Sequence, residues 1–234
     1  MLKKNKGGSI INISSTAGVF GFPLRSPYAV SKAATSQAIT YYGKVRGIPI
    51  INLRLYSVYG YYEDSSRLIP VLCKNVIQGK LPSFACAEVS RDFIHIQDVV
   101  AAFIDAALHI CPEIAGESFN IGTGIQTSLA ALADLTKNCF DIKDEPQFSL
   151  KAGRAWDVNN WYANPQKAKE LLNWEAKIKL QDGIIEIKDW WQKYLENIDF
   201  SKVTKKQQLP KVKKSVSAII ACYKDAQAIP IVHE

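Results

Sequence analysis

Ser9-Ile10-Ile11-Asn12-Ile13-Ser14 is a short β-branched run that reads as a buried strand. Working outward, small residues follow it, and then Gly18, Gly21 and Pro23 mark a loop. From Tyr28 to about Tyr42 the chain is Ala-rich and free of Gly and Pro, which predicts a helix closed by Gly43 and Gly47. Ile48-Pro49-Ile50-Ile51-Asn52-Leu53-Arg54-Leu55 is a second buried strand. Strand, helix and strand at this spacing predict a βαβ unit, hence a parallel sheet with a right-handed crossover.

Beyond Gly60 the pattern predicts a helix from Arg67 to Ile77, a strand at Phe93-Ile94-His95-Ile96 and a helix from Gln97 to His109. A strand from Glu117 to Ile121 ends at Gly122-Thr123-Gly124. Thr127 to Cys139 is helical, with Thr127 or Ser128 as its cap. Asn164-Pro165 opens a helix to Leu172, since Pro suits the first turn. Gln181 to Asn197 is the last long helix, with Ile184, Ile187, Trp191 and Leu195 as a packing stripe. Asp199 to Lys214 reads as a Lys-rich linker, after which Val216-Ser217-Ala218-Ile219-Ile220 begins a fresh strand. One strand and a loop bury no core, so these last residues read as the opening of a further domain.

With 47% hydrophobic and 22% charged residues in 234, the composition is that of a globular chain and excludes disorder over most of it. No apolar run reaches the roughly 18 residues of a membrane span, and the run after Lys3, Lys4 and Lys6 is too short for a secretory signal. The net charge of +7 is local. It rests on those three lysines and on Lys202, Lys205, Lys206, Lys211, Lys213 and Lys214; the remainder is slightly acidic. Two short segments, the second read as a solvated Lys-rich linker and not a nucleic-acid-binding face, account for the basic pI. The 5 cysteines form no Cys-x-x-Cys pair and the 3 histidines are scattered, so neither a disulfide framework nor a zinc site is expected, and reduced thiols fit a cytoplasmic protein.

Tyr28-Ala29-Val30-Ser31-Lys32 carries the chemistry. A Tyr and a Lys four apart share a helix face, so both point into one cleft. A nearby ammonium favours the phenolate, which suits a Tyr to exchange a proton with a substrate hydroxyl. A hydroxyl from Ser15 or Thr16, at the end of the preceding strand, would hold the same oxygen. Without such a cleft the pair would be a Tyr packed on a sheet edge and a solvated Lys.

Ile11-Asn12-Ile13-Ser14-Ser15-Thr16-Ala17-Gly18-Val19-Phe20-Gly21 followed by Tyr28-x-x-x-Lys32 resembles the short-chain dehydrogenase/reductase superfamily. Later stretches resemble its extended branch, the NAD-dependent sugar-nucleotide epimerase/dehydratase family. They are Leu53 to Gly60, Arg91-Asp92-Phe93-Ile94-His95-Ile96-Gln97-Asp98-Val99, Phe119-Asn120-Ile121-Gly122-Thr123-Gly124 and the Trp161 to Trp191 segment. The ordered set covers residues 7 to 195. It implies an α/β fold: the C-terminal half of a Rossmann-like parallel sheet (1–60) with a smaller, mainly substrate-binding α/β region (61–198). The linker (199–214) and the start of a domain similar to nucleotide-sugar glycosyltransferases (215–234) would follow.

The resemblance also implies roles. Tyr28 is the acid/base, and Lys32 binds the nicotinamide ribose and tunes Tyr28. Their hydroxyl partner is Thr16 if the sequence is anchored on Val19-Phe20-Gly21, or Ser15 if it is counted back from Tyr28. Tyr56, Ser57 and Val58 meet the nicotinamide amide and the sugar. Arg91, with Arg154 as a second phosphate-binding Arg, holds the nucleotide diphosphate, a task that suits a guanidinium fork. The alternative for Arg91 is an ion pair with Asp92 or Asp98. NAD or NADP would be the cofactor, a nucleotide sugar the substrate, and a homodimer the state of the full-length enzyme.

Two departures narrow this. Family 4,6-dehydratases place Asp-Glu after the catalytic Thr, whereas Ala17 and Gly18 stand there and transfer no proton. That favours an epimerase or a reductase/dehydrogenase. The Gly-x-x-Gly-x-x-Gly turn that receives a dinucleotide pyrophosphate has no counterpart before Ser9. About 100 residues bearing the adenosine half would be missing, by analogy with the Rossmann unit. Cofactor binding by this chain alone is therefore in doubt. The rival expectation is a non-catalytic fragment, or a sugar-nucleotide-binding module that needs a partner chain.

Overall fold

The computed structural model describes residues 8–19, 26–149 and 161–197. The predicted βαβ unit is present. Strand β1 (Ile10–Ser15) pairs in parallel with β2 (Ile50–Leu55), and helix α1 (Ser26–Lys44) connects them. Strand β6 (Ser118–Ile121) adds on the far side of β2, again parallel, giving the order β1-β2-β6. Among the described residues β1 is therefore an edge.

The register has a physical lock. Asn12, Asn52 and Ser118 stand in one row across the three strands. Asn12 Nδ2 donates to Asn52 Oδ1 at 2.7 Å, and Asn52 Nδ2 donates to Ser118 Oγ at 3.2 Å and to Ser36 Oγ of α1 at 3.1 Å. Asn52 is fully buried. A one-residue slip would place this amide against Ile or Leu side chains and strand its donors, at about 1–3 kcal/mol per orphaned group.

Around the sheet, Ile51, Leu53, Phe119 and Ile121 pack with α3 (Ile96–His109), α5 (Gln166–Leu172) and Trp174. A second core joins α2 (Leu68–Ile77), α4 (Leu129–Phe140) and α6 (Leu180–Asn197) around Leu72, Leu132, Ile184 and Ile187. Residues beyond Gly60 thus contribute to both cores. The helix α1 crosses the loop before β6 at backbone contact: a Cβ on Gly43 would lie 2.0 Å from the Gly116 nitrogen. Gly43 is inside the helix, and the turn after it uses Gly47 at φ +63°.

Three short strands escaped the periodicity reading because two or three residues carry no alternation. Strand β3 (Ser57–Tyr59) pairs in parallel with β5 (Phe93–His95), and β4 (Ser90–Arg91) pairs antiparallel with β7 (Thr127–Ser128). Thr127 lies in β7, and Ser128 is the cap of α4, its Oγ accepting from Ala131 N at 3.1 Å. In α6, Ile184, Ile187 and Trp191 are buried as expected, but Leu195 is 44% exposed and leaves the packing stripe. No helix among the described residues is long and apolar enough to cross a membrane.

Candidate active site

At the carboxyl end of β1 the chain enters a 3-10 turn, Thr16–Gly18, that packs on α1. Gly18 is required there: a Cβ would lie 2.9 Å from the Lys32 carbonyl carbon and 3.0 Å from Ala33 N, both backbone atoms. This contact sets the strand end against the helical turn that carries Tyr28 and Lys32.

Lys32 is buried, 6% exposed, and its ammonium donates to the Ile13 carbonyl at 2.9 Å. The same Nζ lies 5.7 Å from the Tyr28 ring centroid, within cation–π range. It is not a solvated surface lysine. Tyr28 is half-buried on the first turns of α1. Thr16 is buried, and the Ser15 hydroxyl caps the 3-10 turn by accepting from Ala17 N at 3.2 Å. One helical turn on, Ser36 Oγ donates to the Lys32 carbonyl at 2.9 Å, so the buried amide row reaches the same helix.

The neighbouring strand ends converge on this edge. Tyr56 N donates to the Ile121 carbonyl at 3.1 Å, and Ser57 N to the Asp92 carbonyl at 3.0 Å. Burial, and then the Asp92 carboxylate, push the Tyr56 phenol up from its ordinary value, so it stays protonated. Val58 follows in β3. Arg91 lies on the β4–β7 ribbon, one residue before the Asp92 carbonyl that holds Ser57 N, with its Nη1 donating to the Ser90 carbonyl at 2.6 Å. Arg154 lies outside the described residues, as do the Lys-rich linker and the residues read as a glycosyltransferase-like start.

The carboxylates set against Arg91 as ion-pair partners have other work. Asp98 accepts from Lys177 N and Ile178 N at 3.1 and 3.0 Å. Asp92, fully buried, accepts from Thr123 N, Thr123 Oγ1, Gly124 N and Ala163 N. The Gly122-Thr123-Gly124 turn is therefore no phosphate cradle, because two of its N–H groups already serve Asp92. Gly122 is glycine for packing: a Cβ would lie 2.7 Å from both Asp92 Oδ2 and Ala163 Cβ. His95 is also structural. It is buried, its Nδ1 accepts from Gln97 N at 3.3 Å to cap α3, and burial pushes its imidazole pKa down.

Open parallel sheets bind ligands outside the carboxyl ends of their strands. Here that edge carries Thr16, Tyr28 and Lys32, with Tyr56 and Ser57 at the end of the next strand. A buried ammonium beside a phenol fits the ribose and nicotinamide end of a dinucleotide. Residues 6–122 match the NAD dependent epimerase/dehydratase family. The chain belongs to this family.

Relatives agree with the family assignment. An uncharacterised UDP-glucose epimerase of Bacillus subtilis is 34% identical over 160 residues, covering 68% of this chain and 49% of that protein. The fold matches Thermotoga maritima UDP-glucose 4-epimerase with UDP-glucose at a TM-score of 0.68 and 26% identity, over 82% of this chain and 66% of that one. It also matches Bacillus cereus UDP-glucuronic acid 4-epimerase, a mutant in complex with a fluorinated UDP-glucuronic acid and NAD, at 0.67 and 26%, over 79% and 61%. The chain spans between 49% and 65% of the length of the first three curated relatives it matches.

Family membership explains why the ordered motifs could be read from sequence. The amide row and the Asp92 anchor were not anticipated. Their signal was present: Ile-Ile-Asn-Ile and Ile-Ile-Asn-Leu each interrupt an apolar strand with Asn, at positions that pair in register.

Proposed function

We propose that this chain supplies the nicotinamide-side and sugar-side residues of an NAD(P)-dependent sugar-nucleotide epimerase or reductase. The observation that carries the reading is the Lys32 ammonium, buried and held by Ile13 O at the carboxyl edge of the sheet, 5.7 Å from the Tyr28 ring centroid. NAD or NADP, when bound, supplies the hydride acceptor and donor. Lys32 would hold the ribose hydroxyls next to it. Tyr28 would take the proton from the sugar hydroxyl being oxidised and return one when the keto sugar is reduced. Thr16 is favoured over Ser15 as the hydroxyl that fixes the sugar oxygen, since Ser15 already caps the turn. Tyr56 and Ser57 would border the sugar, and Arg91 would bind the diphosphate.

The absence of a side chain at Gly18 supports epimerisation or simple reduction over 4,6-dehydration. A carboxylate there would drive its Cβ into the Lys32 backbone. No Gly-x-x-Gly-x-x-Gly stretch occurs in the sequence, and the N–H groups of Thr123 and Gly124 in the Gly122-Thr123-Gly124 turn are engaged by Asp92. The pyrophosphate and adenosine of the cofactor would therefore be held by residues other than these.

Calorimetric titration tests the substrate side. UDP-glucose and UDP should bind the chain, Arg91→Ala should weaken both alike, and Tyr28→Phe should leave UDP unaffected. Equal UDP affinity in Arg91→Ala would remove the diphosphate role. NAD and NADP titrated into the chain alone should show no saturable binding below the millimolar range. Tight binding of either would overturn the division of the cofactor site.

A further inference from the structure

Away from the Tyr28–Lys32 pair, a groove of about 390 Å³ opens between the loop before α2 and the last turns of α6. Tyr62, Glu63, Lys74, Trp190, Trp191 and Tyr194 line it. Three of its features go beyond packing. Trp191 is 4% exposed, yet its Nε1 has no hydrogen-bond partner among the described residues. Glu63 Oε1 accepts from Arg67 Nε at 2.8 Å, while its buried Oε2 likewise has no partner among the described residues. Tyr62 is held at φ 60° with its side chain in solvent, and its described ring contact is edge-on to Trp190 at 5.1 Å. A bulky residue in the left-handed region is strained, and such strain clusters at ligand clamps.

The chemistry selects a ligand class. Aromatic walls offer broad faces for C–H groups. Glu63 and Lys74 place one negative and one positive charge in the groove, so neither a phosphate nor a cation is favoured. Lys74 bridges the wall, 4.7 Å from the Trp191 ring centroid and donating to the Ser65 carbonyl at 3.3 Å. The indole N–H and the Glu63 carboxylate oxygen, both sealed from solvent in this state, would each be satisfied by a group that both accepts and donates, as a hydroxyl does. The volume is at the small end of the roughly 300–1,000 Å³ of ligand pockets. We propose that this groove binds a neutral hexopyranose ring, stacked on the exposed Tyr62 ring, since Trp190 already stacks on Tyr194 at 4.9 Å, and hydrogen-bonded to Glu63 and Trp191. It shares no lining residue with the candidate active site.

Saturation-transfer NMR on the full chain tests this, with methyl glucopyranoside, methyl galactopyranoside, UDP-glucose and UDP as probes. Tyr62→Gly is the informative variant, because it removes a stacking ring and relieves the positive φ together. A methyl glycoside should receive saturation on its C–H face, and Tyr62→Gly should weaken its binding by about tenfold, the scale of one ring contact. Tyr62→Gly should also melt at the same or a higher temperature. Glu63→Gln should weaken glycoside binding while leaving UDP binding unchanged. Three results would overturn the proposal: no saturable transfer to either glycoside, equal binding in Tyr62→Gly, or transfer to the sugar only when UDP is attached.

Discussion

The carboxylate of Asp92 grips Thr123 through two hydrogen bonds, from its N–H at 2.9 Å and its Oγ1 at 2.6 Å. With Gly124 N and Ala163 N on the other oxygen, both at 2.9 Å, one buried side chain ties the step between β4 and β5 to the turn after β6 and to the segment leading into α5. Asp92→Ala leaves these donors unsatisfied in a dry site. A loss of about 3–5 kcal/mol of unfolding free energy is expected, the cost of breaking a fully buried charge-assisted cluster. Urea denaturation measures it. A loss typical of a surface substitution would mean the turn is held by something else.

Gly18→Ala makes a sharper claim about the edge that carries Tyr28 and Lys32. Its Cβ would meet two backbone atoms of α1 at 2.9 and 3.0 Å, and neither can rotate away. The Thr16–Gly18 turn must lift off the helix. We expect about 1–3 kcal/mol of destabilisation, as for overpacking elsewhere. Ala17→Ser, one residue earlier, is the control. A Gly18→Ala protein with an unchanged melting temperature would show that the turn is less constrained than its contacts say.

Glu63 predicts a pH dependence of known sign. Burial raises its carboxyl from 4.5 to about 6, against the lowering effect of Arg67. The folded protein therefore holds this proton more tightly than the unfolded chain. Its contribution to stability is complete below pH 4.5 and is lost as the pH rises through about 6. Over that window the wild-type protein should lose about 2 kcal/mol relative to Glu63→Gln, from roughly 1.4 kcal/mol per pKa unit. Parallel stability curves for the two proteins would contradict the burial of Glu63.

The parts of the fold legible in the sequence are those with length. The six-residue strands β1 and β2, and α1 between them, announce themselves by β-branched runs and an uninterrupted Ala-rich stretch. Strands β4 and β7 are two residues each and exist only because Ser90 and Arg91 meet Ser128 and Thr127 across the chain, which no local pattern reports. The site divides the same way. Tyr28 and Lys32 are four apart on one helix, so their juxtaposition follows from helical geometry. Asp92 and Thr123 are brought together by tertiary structure alone, and from sequence Asp92 reads as an ion-pair partner for Arg91. Leu195 shows the converse error: helical spacing placed it on the buried face of α6, but beyond Trp191 there is no described core left to cover it.

The central claim is that Tyr28, with Lys32 beside it, moves the proton during hydride transfer from a nucleotide sugar. It is tested most directly by reduction of NAD on mixing with UDP-hexoses. The chain would be joined at Gly8 to a family strand–turn–helix half bearing Gly-x-x-Gly-x-x-Gly. The account predicts that Tyr28→Phe slows this reduction by about 10²–10⁴-fold while UDP affinity is unchanged. Reduction at the parent rate in Tyr28→Phe, or none from any hexose nucleotide in an assembly that binds both ligands, would contradict it.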